Sequence, residues 1–336
     1  MDMAKLLASF LVVFVHAPFP GKLGAFFQCM GRGTVPLFLA ISGYFNFHAT
    51  PEKIKKRLIH ILKLNVAALL VHVLWGCFVT EINGESTISY LRALSPNAGW
   101  LVRLLFLFEH PFLEYRYEHL WYLLAIGLVY VVYYLYSRFF DGREPDYRPL
   151  YLVSAVFLVI HTLLDEFAAV CGAVFPIYIR RSLFVYCLPF FALGIFIRQY
   201  QERIISAFSL NGWKLLLLAA GSLAFSMTEY QLLGLQNLYI GTMLAVPSIL
   251  LLTAACPHPV KKKTIMVSAF DKWSTWIYIL HMIVLEGYRM FFYEPLAACL
   301  GPAEPWLFPL IVLGVSFVLA VCAVWVQKLG KHIRKK

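Results

Sequence analysis

The sequence predicts an all-α, polytopic membrane bundle of about ten transmembrane helices, with both termini in the cytoplasm. Composition is the first observation behind this prediction, because 61% of the 336 residues are hydrophobic and 14% are charged. Soluble domains are about half apolar and a quarter charged. The mean hydropathy of +0.72 is the second observation. A single core of this length cannot hide so much apolar surface from water, whereas lipid solvates it.

Ten apolar segments are the predicted spans. They cover residues 3–17, 33–48, 58–80, 119–138, 149–165, 182–198, 212–228, 237–254, 271–292 and 306–327. Several are shorter than the ~20 residues that cross a bilayer, so their polar ends must lie in the headgroup zone or inside the bundle. Because no long polar stretch separates them, we expect one membrane domain over residues 1–336.

The distribution of lysine and arginine predicts the orientation of the spans. With a cytoplasmic N-terminus, 20 of the 29 Lys and Arg residues fall in inner segments and 7 in outer ones, which is the positive-inside bias. The basic residues lie between apolar runs, so the net charge of +11 does not indicate nucleic-acid binding. The long connection 81–118 is then an external loop, and loops of this length are usually functional. We expect a multi-pass protein of a cell membrane, the bacterial cytoplasmic membrane in particular.

Polar residues inside apolar segments are the candidate functional groups, because burying them in lipid is costly. Lys5 and His16 are eleven residues apart, about three helical turns, and therefore share one face of the first span. The alternative is that Lys5 snorkels to the inner headgroups and His16 sits at the outer interface. Arg32 begins the second span, in which Ser42 and Gly43 form a small surface suited to close helix packing.

Several of these segments resemble the membrane acyltransferase 3 family. Lys5 and His16 reproduce that family's basic residue, ten intervening residues and histidine, although arginine is the commoner basic residue there. The stretch 32–45 is similar to the family's Arg–Val-Pro-Phe-Phe–Ser-Gly-Tyr element, with Leu37 where an aromatic residue is frequent. Two later elements match in order and spacing: 119–123 and 278–281.

The stretch 180–184 is similar to an Arg-Asn-Gly-Leu-Phe element in the membrane half of membrane-bound serine racemases of vancomycin resistance, from which Arg181 and Ser182 depart. The resemblance covers nearly the whole chain. It implies transfer of an acyl group, usually acetyl, from a cytoplasmic thioester donor to an extracytoplasmic or membrane-proximal sugar. The expected donor is acyl-CoA, acetyl-CoA in particular, and the expected acceptor is a carbohydrate hydroxyl.

Acyl transfer to a hydroxyl needs a base for its proton and donors for the developing oxyanion. Imidazole suits the first task near neutral pH, so we predict that His16 is the general base. A transient acyl-enzyme remains an alternative. Because Lys and Arg recognise phosphate groups, the family match places Lys5 and Arg32 on the path of the donor. Ser42 and Tyr44 complete that predicted path.

The predicted acceptor rim lies at the outer ends of two later spans and consists of His119, Trp121, Tyr122 and Arg180. Aromatic faces stack on sugar rings and polar tips bind hydroxyls, although Trp and Tyr are also common as plain interface residues. Two further candidates are Glu118, as a carboxylate that orients His16, and His281. No metal site or covalent cofactor is expected, because no cluster has ligand spacing.

The alternative function is a secondary transporter or flippase for a polar or glycolipid substrate, since intramembrane His, Lys and Arg also mark substrate paths. Transporters often carry paired broken helices in inverted repeats, and the sequence shows no such pair. The identity of the acceptor, the acyl group and the oligomeric state stay open at this stage.

Overall fold

The computed structural model describes residues 1–94, 119–140, 143, 145–255 and 267–333. These residues are helical almost throughout and contain no strand, which confirms the predicted all-α fold. Six helical segments in the described part of the chain are long and apolar enough to cross a membrane. One of the six runs 61 residues, Ala269–Leu329, and covers most of the last two long helices.

Thirteen α-helices of seven residues or more lie in the described part of the chain. The first six are α1 (Asp2–His16), α2 (Gly21–Gly31), α3 (Thr34–Tyr44), α4 (Pro51–Ile82), α5 (Thr87–Ala93) and α6 (Trp121–Phe139). The next four are α7 (Arg148–Thr162), α8 (Leu188–Ala207), α9 (Gly212–Leu233) and α10 (Ile240–Ala255). The last three are α11 (Val267–Gly287), α12 (Tyr293–Leu300) and α13 (Glu304–Ile333).

Each of the ten predicted segments overlaps one of these helices, while the number of crossings and the sides of the termini stay predictions. Four of the helices, α4, α8, α9 and α13, are longer than the apolar segments that they overlap. In α4 the extension includes the basic residues of the predicted inner loop 49–58, and the helix begins where Thr50 accepts a hydrogen bond from the backbone N–H of Lys53. Pro51 occupies its first turn, where a missing N–H does no harm. At 32 residues, α4 is about 48 Å long and exceeds the ~30 Å hydrocarbon core.

Helix α2 was not predicted, because its 11 residues lie in a segment that the sequence assigned to a connection. It begins after Pro20 with Gly21 at φ +61° and packs against α1 and α9. A β-carbon on Gly31 would collide with the side chain of Val15. Small residues therefore allow this short helix to lie directly on the end of α1.

The described chain divides into two compact units. The first contains residues 1–38, 209–235 and 240–336, and the second contains residues 39–208 and 236–239. In the first unit, α1, α11 and α13 share an apolar core that includes Leu6, Val13, Ile277, Leu285 and Val312. In the second unit, α3 packs on α8, and the large rings of Tyr133, Phe190 and Phe191 are fully buried.

Helix α7 continues through a π-helical turn, Leu163–Phe167, and α8 is preceded by another, Leu183–Cys187. A third, Tyr288–Phe292, follows α11. Turns of this kind are rare and often occur at functional sites. In this chain they carry or adjoin several of its buried polar residues, Asp165 and Tyr288 among them.

Candidate active site

Helices α1 and α11 of the first unit run side by side in the same direction, and their polar residues meet at two levels. Lys5 Nζ lies 2.6 Å from Asp271 Oδ1 near the start of both helices. Eleven residues further along α1 and ten further along α11, the rings of His16 and His281 are in contact, with their centroids 5.2 Å apart and tilted by 45°. The two levels lie about 16 Å apart along α1. The structure therefore gives His16 a histidine neighbour that sequence reasoning had named only as a further candidate.

The protonation of His281 follows from its backbone contacts. Its Nδ1 lies 2.8 Å from the carbonyl oxygen of Tyr278 and 3.2 Å from that of Ile277. A carbonyl oxygen only accepts hydrogen bonds, so Nδ1 carries the proton. In the neutral ring Nε2 then holds the lone pair. His281 is fully buried, whereas His16 is partly exposed at the C-terminal end of α1. The pair therefore joins a fixed imidazole to one that a ligand can reach.

Arg32 lies in the same unit, between α2 and α3. Gly31 packs directly on Val15, so the backbone that carries Arg32 lies close to the end of α1 that carries His16. Arg32 Nε is buried and has no hydrogen-bond partner in the described part of the chain. A buried donor without a partner costs about 1–3 kcal/mol, and more for a charged group. An anionic or carbonyl oxygen of a ligand would remove this cost by accepting the hydrogen bond of Arg32 Nε.

The other two residues of the predicted donor path lie in the second unit. Tyr44 Oη donates a hydrogen bond to Gln201 Oε1 at 2.8 Å and accepts one from Arg198 at 3.1 Å, while the Arg198 guanidinium lies 5.2 Å from the ring centre. The carbonyl oxygen of Ser42 accepts a hydrogen bond from Asn46 at 2.7 Å. Tyr44 is therefore held beside a cation. Ser42 lies near the C-terminal end of α3, where the Asn46 side chain caps its backbone carbonyl.

The predicted acceptor rim also lies in the second unit, and its members have different surroundings. His119 is buried with its ring against His72, the centroids being 5.1 Å apart. Trp121 is half-buried beneath the guanidinium of Arg181 at 5.3 Å, and Tyr122 next to it is also half-buried. Arg180 forms an ion pair with Asp165. Of the two adjacent arginines, Arg181 is therefore the one that contacts the aromatic part of the rim.

Sequence reasoning missed the partner of Arg180. Asp165 is fully buried, and besides the ion pair its Oδ2 accepts the backbone N–H of Leu238 at 3.0 Å and lies 3.6 Å from His161 Nε2. His161 and Asp165 are four residues apart, a spacing that places two residues on one helical face. That spacing, in a largely apolar segment, was the available signal. The cluster ties three stretches of the second unit together.

One predicted site residue, Glu118, lies outside the described residues, as do most of the external loop 81–118 and the basic stretch 261–263. Among the residues that the structure does describe, no three His, Cys, Asp or Glu side chains are grouped so that they could hold a metal ion. The first unit instead offers the imidazoles of His16 and His281 and the guanidinium of Arg32, groups that are suited to moving a proton and stabilising negative charge.

The fold and this pair of histidines define a helical membrane protein whose candidate site is built for acid–base chemistry. The chain matches the sequence profile of the acyltransferase domain, the acyltransferase 3 family, over residues 1–325. It belongs to that family and is a membrane acyltransferase, as the resemblance of its first spans had implied. No curated protein and no solved structure matches the chain.

Proposed function

We propose that the protein transfers an acyl group, acetyl in the first instance, from acyl-CoA to a hydroxyl group of a carbohydrate. The family supplies the reaction type. The observation that supports this assignment most directly is the contact between the His16 and His281 rings, 5.2 Å apart, at the end of α1. The charge distribution predicts that this end faces outward, where surface carbohydrates lie.

In the proposed reaction His16 acts as general base. Its unprotonated ring nitrogen removes the proton of the acceptor hydroxyl while the oxygen attacks the thioester carbonyl. The tetrahedral intermediate then collapses with cleavage of the carbon–sulfur bond, and the proton passes from His16 to the departing thiolate of CoA. The products are an ester and CoA with a free thiol, so the charge of the site is unchanged. His281 acts as a positioning residue, because its own Nδ1 proton is fixed on the backbone.

The donor is proposed to enter from the cytoplasmic side. Lys5 stands at the predicted inner end of α1, and Tyr44 lies beside Arg198 in the second unit. Cationic side chains at these positions suit the phosphate groups of CoA. The buried Nε donor of Arg32 suits the negative charge that develops on the thioester oxygen.

The acceptor is proposed to contact the aromatic rim of the second unit. Trp121 and Tyr122 offer ring faces on which a sugar can stack, and the Arg181 guanidinium over Trp121 adds donors for hydroxyl groups. His119 and Arg180 are engaged with neighbouring residues of the same unit. They would therefore hold the rim in place, with Trp121 and Tyr122 as its ligand-contacting members.

The test replaces His16 and follows acyl transfer in cells. His16→Ala should abolish the acyl mass increment on surface glycans, measured by mass spectrometry against cells that lack the protein. Loss of a general base typically costs 10²–10⁴-fold in rate. The matched control is His60→Ala, because His60 is an exposed histidine on α4 and should leave the increment unchanged.

Equal amounts of both variants in the membrane, with equal unfolding temperatures in detergent, exclude a folding defect. An undiminished mass increment in His16→Ala would remove this residue from the mechanism. If cells with and without the wild-type protein carry identical glycans, the carbohydrate acceptor itself is refuted.

A further inference from the structure

A groove of about 560 Å³ lies in the first unit beside the end of α1. That volume falls within the ~300–1,000 Å³ of small-molecule sites. Phe19 forms one wall, and its ring packs on Phe14 of α1 with the centroids 5.0 Å apart. Phe308 forms another wall and packs on Tyr288 at 4.9 Å. Ring contacts therefore support both aromatic walls, Phe19 through Phe14 outside the groove and Phe308 through Tyr288, which lines the groove itself.

A polar pair stands among these aromatic walls. Tyr288 Oη donates a hydrogen bond of 2.6 Å to Glu304 Oε1. Both residues are buried, at 4% and 7% exposure, although the surrounding wall is apolar. Glu304 lies in the first turn of α13, where the helix dipole favours a carboxylate. The hydrogen bond engages one of its two oxygens, so Oε2 can accept a hydroxyl group of a ligand.

The groove lies further along α11 than the contact between His16 and His281. Its wall begins two residues after His16, and Tyr288 follows His281 by seven residues, about 10 Å along the helix. Seven residues are close to two complete turns, so the two side chains project from the same face. A ligand in the groove would therefore extend along α11 toward the partly exposed ring of His16.

The chemistry of the walls selects the kind of ligand. A sugar ring has apolar faces that pack on aromatic rings and a rim of hydroxyl groups that bind a carboxylate, a phenol or a guanidinium. The groove offers all of these, with Arg289 exposed at its edge and Tyr293 beside it. A lipid acyl chain would offer no hydrogen-bond donor to Oε2 of Glu304, the oxygen that Tyr288 does not engage, at a cost of ~1–3 kcal/mol or more.

We infer that this groove binds a sugar ring of the acceptor, with Glu304 and Tyr288 binding its hydroxyl groups. The inference rests on the proposed function and deepens it, because it places part of the acceptor in the same unit as His16. Glu304 and Tyr288 determine specificity in this arrangement, while His16 performs the proton transfer.

Binding of simple glycosides to the purified full-length protein tests the inference. The probes are the methyl glycosides of glucose, N-acetylglucosamine and rhamnose at millimolar concentration, and the readout is the unfolding midpoint in detergent. At least one glycoside should raise the midpoint of the wild type. Glu304→Gln and Tyr288→Phe should weaken its apparent Kd at least tenfold. The matched control is Glu294→Gln, because Glu294 is an exposed glutamate of α12 outside the groove and should bind as the wild type does.

Failure of the inference and failure of the proposed function give different results. His16→Ala should bind the glycoside normally and lose only acyl transfer from acetyl-CoA. Equal binding by Glu304→Gln and the wild type, or no response to any of the three glycosides, would overturn the groove assignment and leave His16 untouched. A phospholipid that copurifies with the wild type but not with Glu304→Gln would identify a lipid site and would equally overturn it.

Discussion

At the scale of single residues, Lys5 has two roles to reconcile, because it pairs with Asp271 and is also proposed to bind the donor. The side chains are 21% and 53% exposed, and ion pairs this accessible contribute about 0.2–1 kcal/mol to stability. So small a contribution leaves room for the ammonium group to serve a ligand. A cation fixed by one carboxylate can still donate its remaining two hydrogens to phosphate oxygens.

Two double variants distinguish the ion pairing of Lys5 from its proposed contact with the donor. Lys5→Met with Asp271→Asn removes both charges, so the helices should stay paired while the donor loses a contact. We expect the KM for acetyl-CoA to rise about 10- to 100-fold, since one charge-assisted hydrogen bond contributes ~1.5–3 kcal/mol. Lys5→Asp with Asp271→Lys keeps a cation at the same level and should restore the KM to within a few-fold. An unchanged KM in the neutral pair would leave Lys5 with a packing role alone.

The sequence shows the spacing of residues along one helix, but it does not show contacts that join separate segments. The eleven-residue spacing of Lys5 and His16 was visible, but their partners Asp271 and His281 lie more than 260 residues away. In the same way, the ion pair between Arg180 and Asp165 was not visible in the sequence, because no spacing pattern relates the two residues. Only the packing of the helices reveals these pairs.

At the scale of elements, the crossing of α3 and α8 in the second unit depends on two glycines. A β-carbon on Gly43 would meet the carbonyl oxygen of Phe191, and one on Gly194 would meet that of Ala40. The obstacles are backbone atoms, which cannot rotate away as side chains do. The sequence had indicated a packing surface at Ser42 and Gly43, and the structure confirms that Gly43 allows close approach of another helix.

Gly194→Ala should therefore separate the two helices and destabilise the protein by about 1–3 kcal/mol, the usual cost of overpacking. The measurement is the unfolding midpoint in detergent. Gly221→Ala is the matched control, because Gly221 lies within α9 with open space where a β-carbon would be. Its midpoint should stay the same or rise, since alanine favours helix. Equal midpoints for Gly194→Ala and the wild type would show that the crossing tolerates a methyl group.

The elements that the sequence misjudged share a physical cause. Hydropathy marks where a helix meets lipid, not where its hydrogen bonds end, so α4 continues through its basic first turns. Helix α2 escaped prediction because it is too short to span and has glycine at both ends. Its position depends on contact with α1, which no local pattern encodes.

At the scale of the whole molecule, the fold class follows from the lipid that surrounds the chain. The amino-acid composition alone predicts this lipid environment. Large apolar side chains such as Leu74, Leu152 and Trp325 are 63–68% exposed, which water would not tolerate over so many helices. The sides of the membrane are a separate matter. Loops that are rich in Lys and Arg stay on the cytoplasmic side, so the bias of 20 inner against 7 outer residues predicts the orientation of the spans.

Cysteine labelling tests this topology directly. In a variant whose native cysteines are replaced by serine, Asn83→Cys lies at the end of α4 and Ser209→Cys lies before α9, both at exposed positions. A membrane-impermeant maleimide should label Asn83→Cys in intact cells and Ser209→Cys only after permeabilisation. The reason is that the ~30 Å hydrocarbon core separates the two ends of α4, while the positive-inside bias predicts the basic first turns of α4 and the segment 198–214 on the cytoplasmic side. Labelling in the opposite order would place His16 on the cytoplasmic side and would require an acceptor inside the cell.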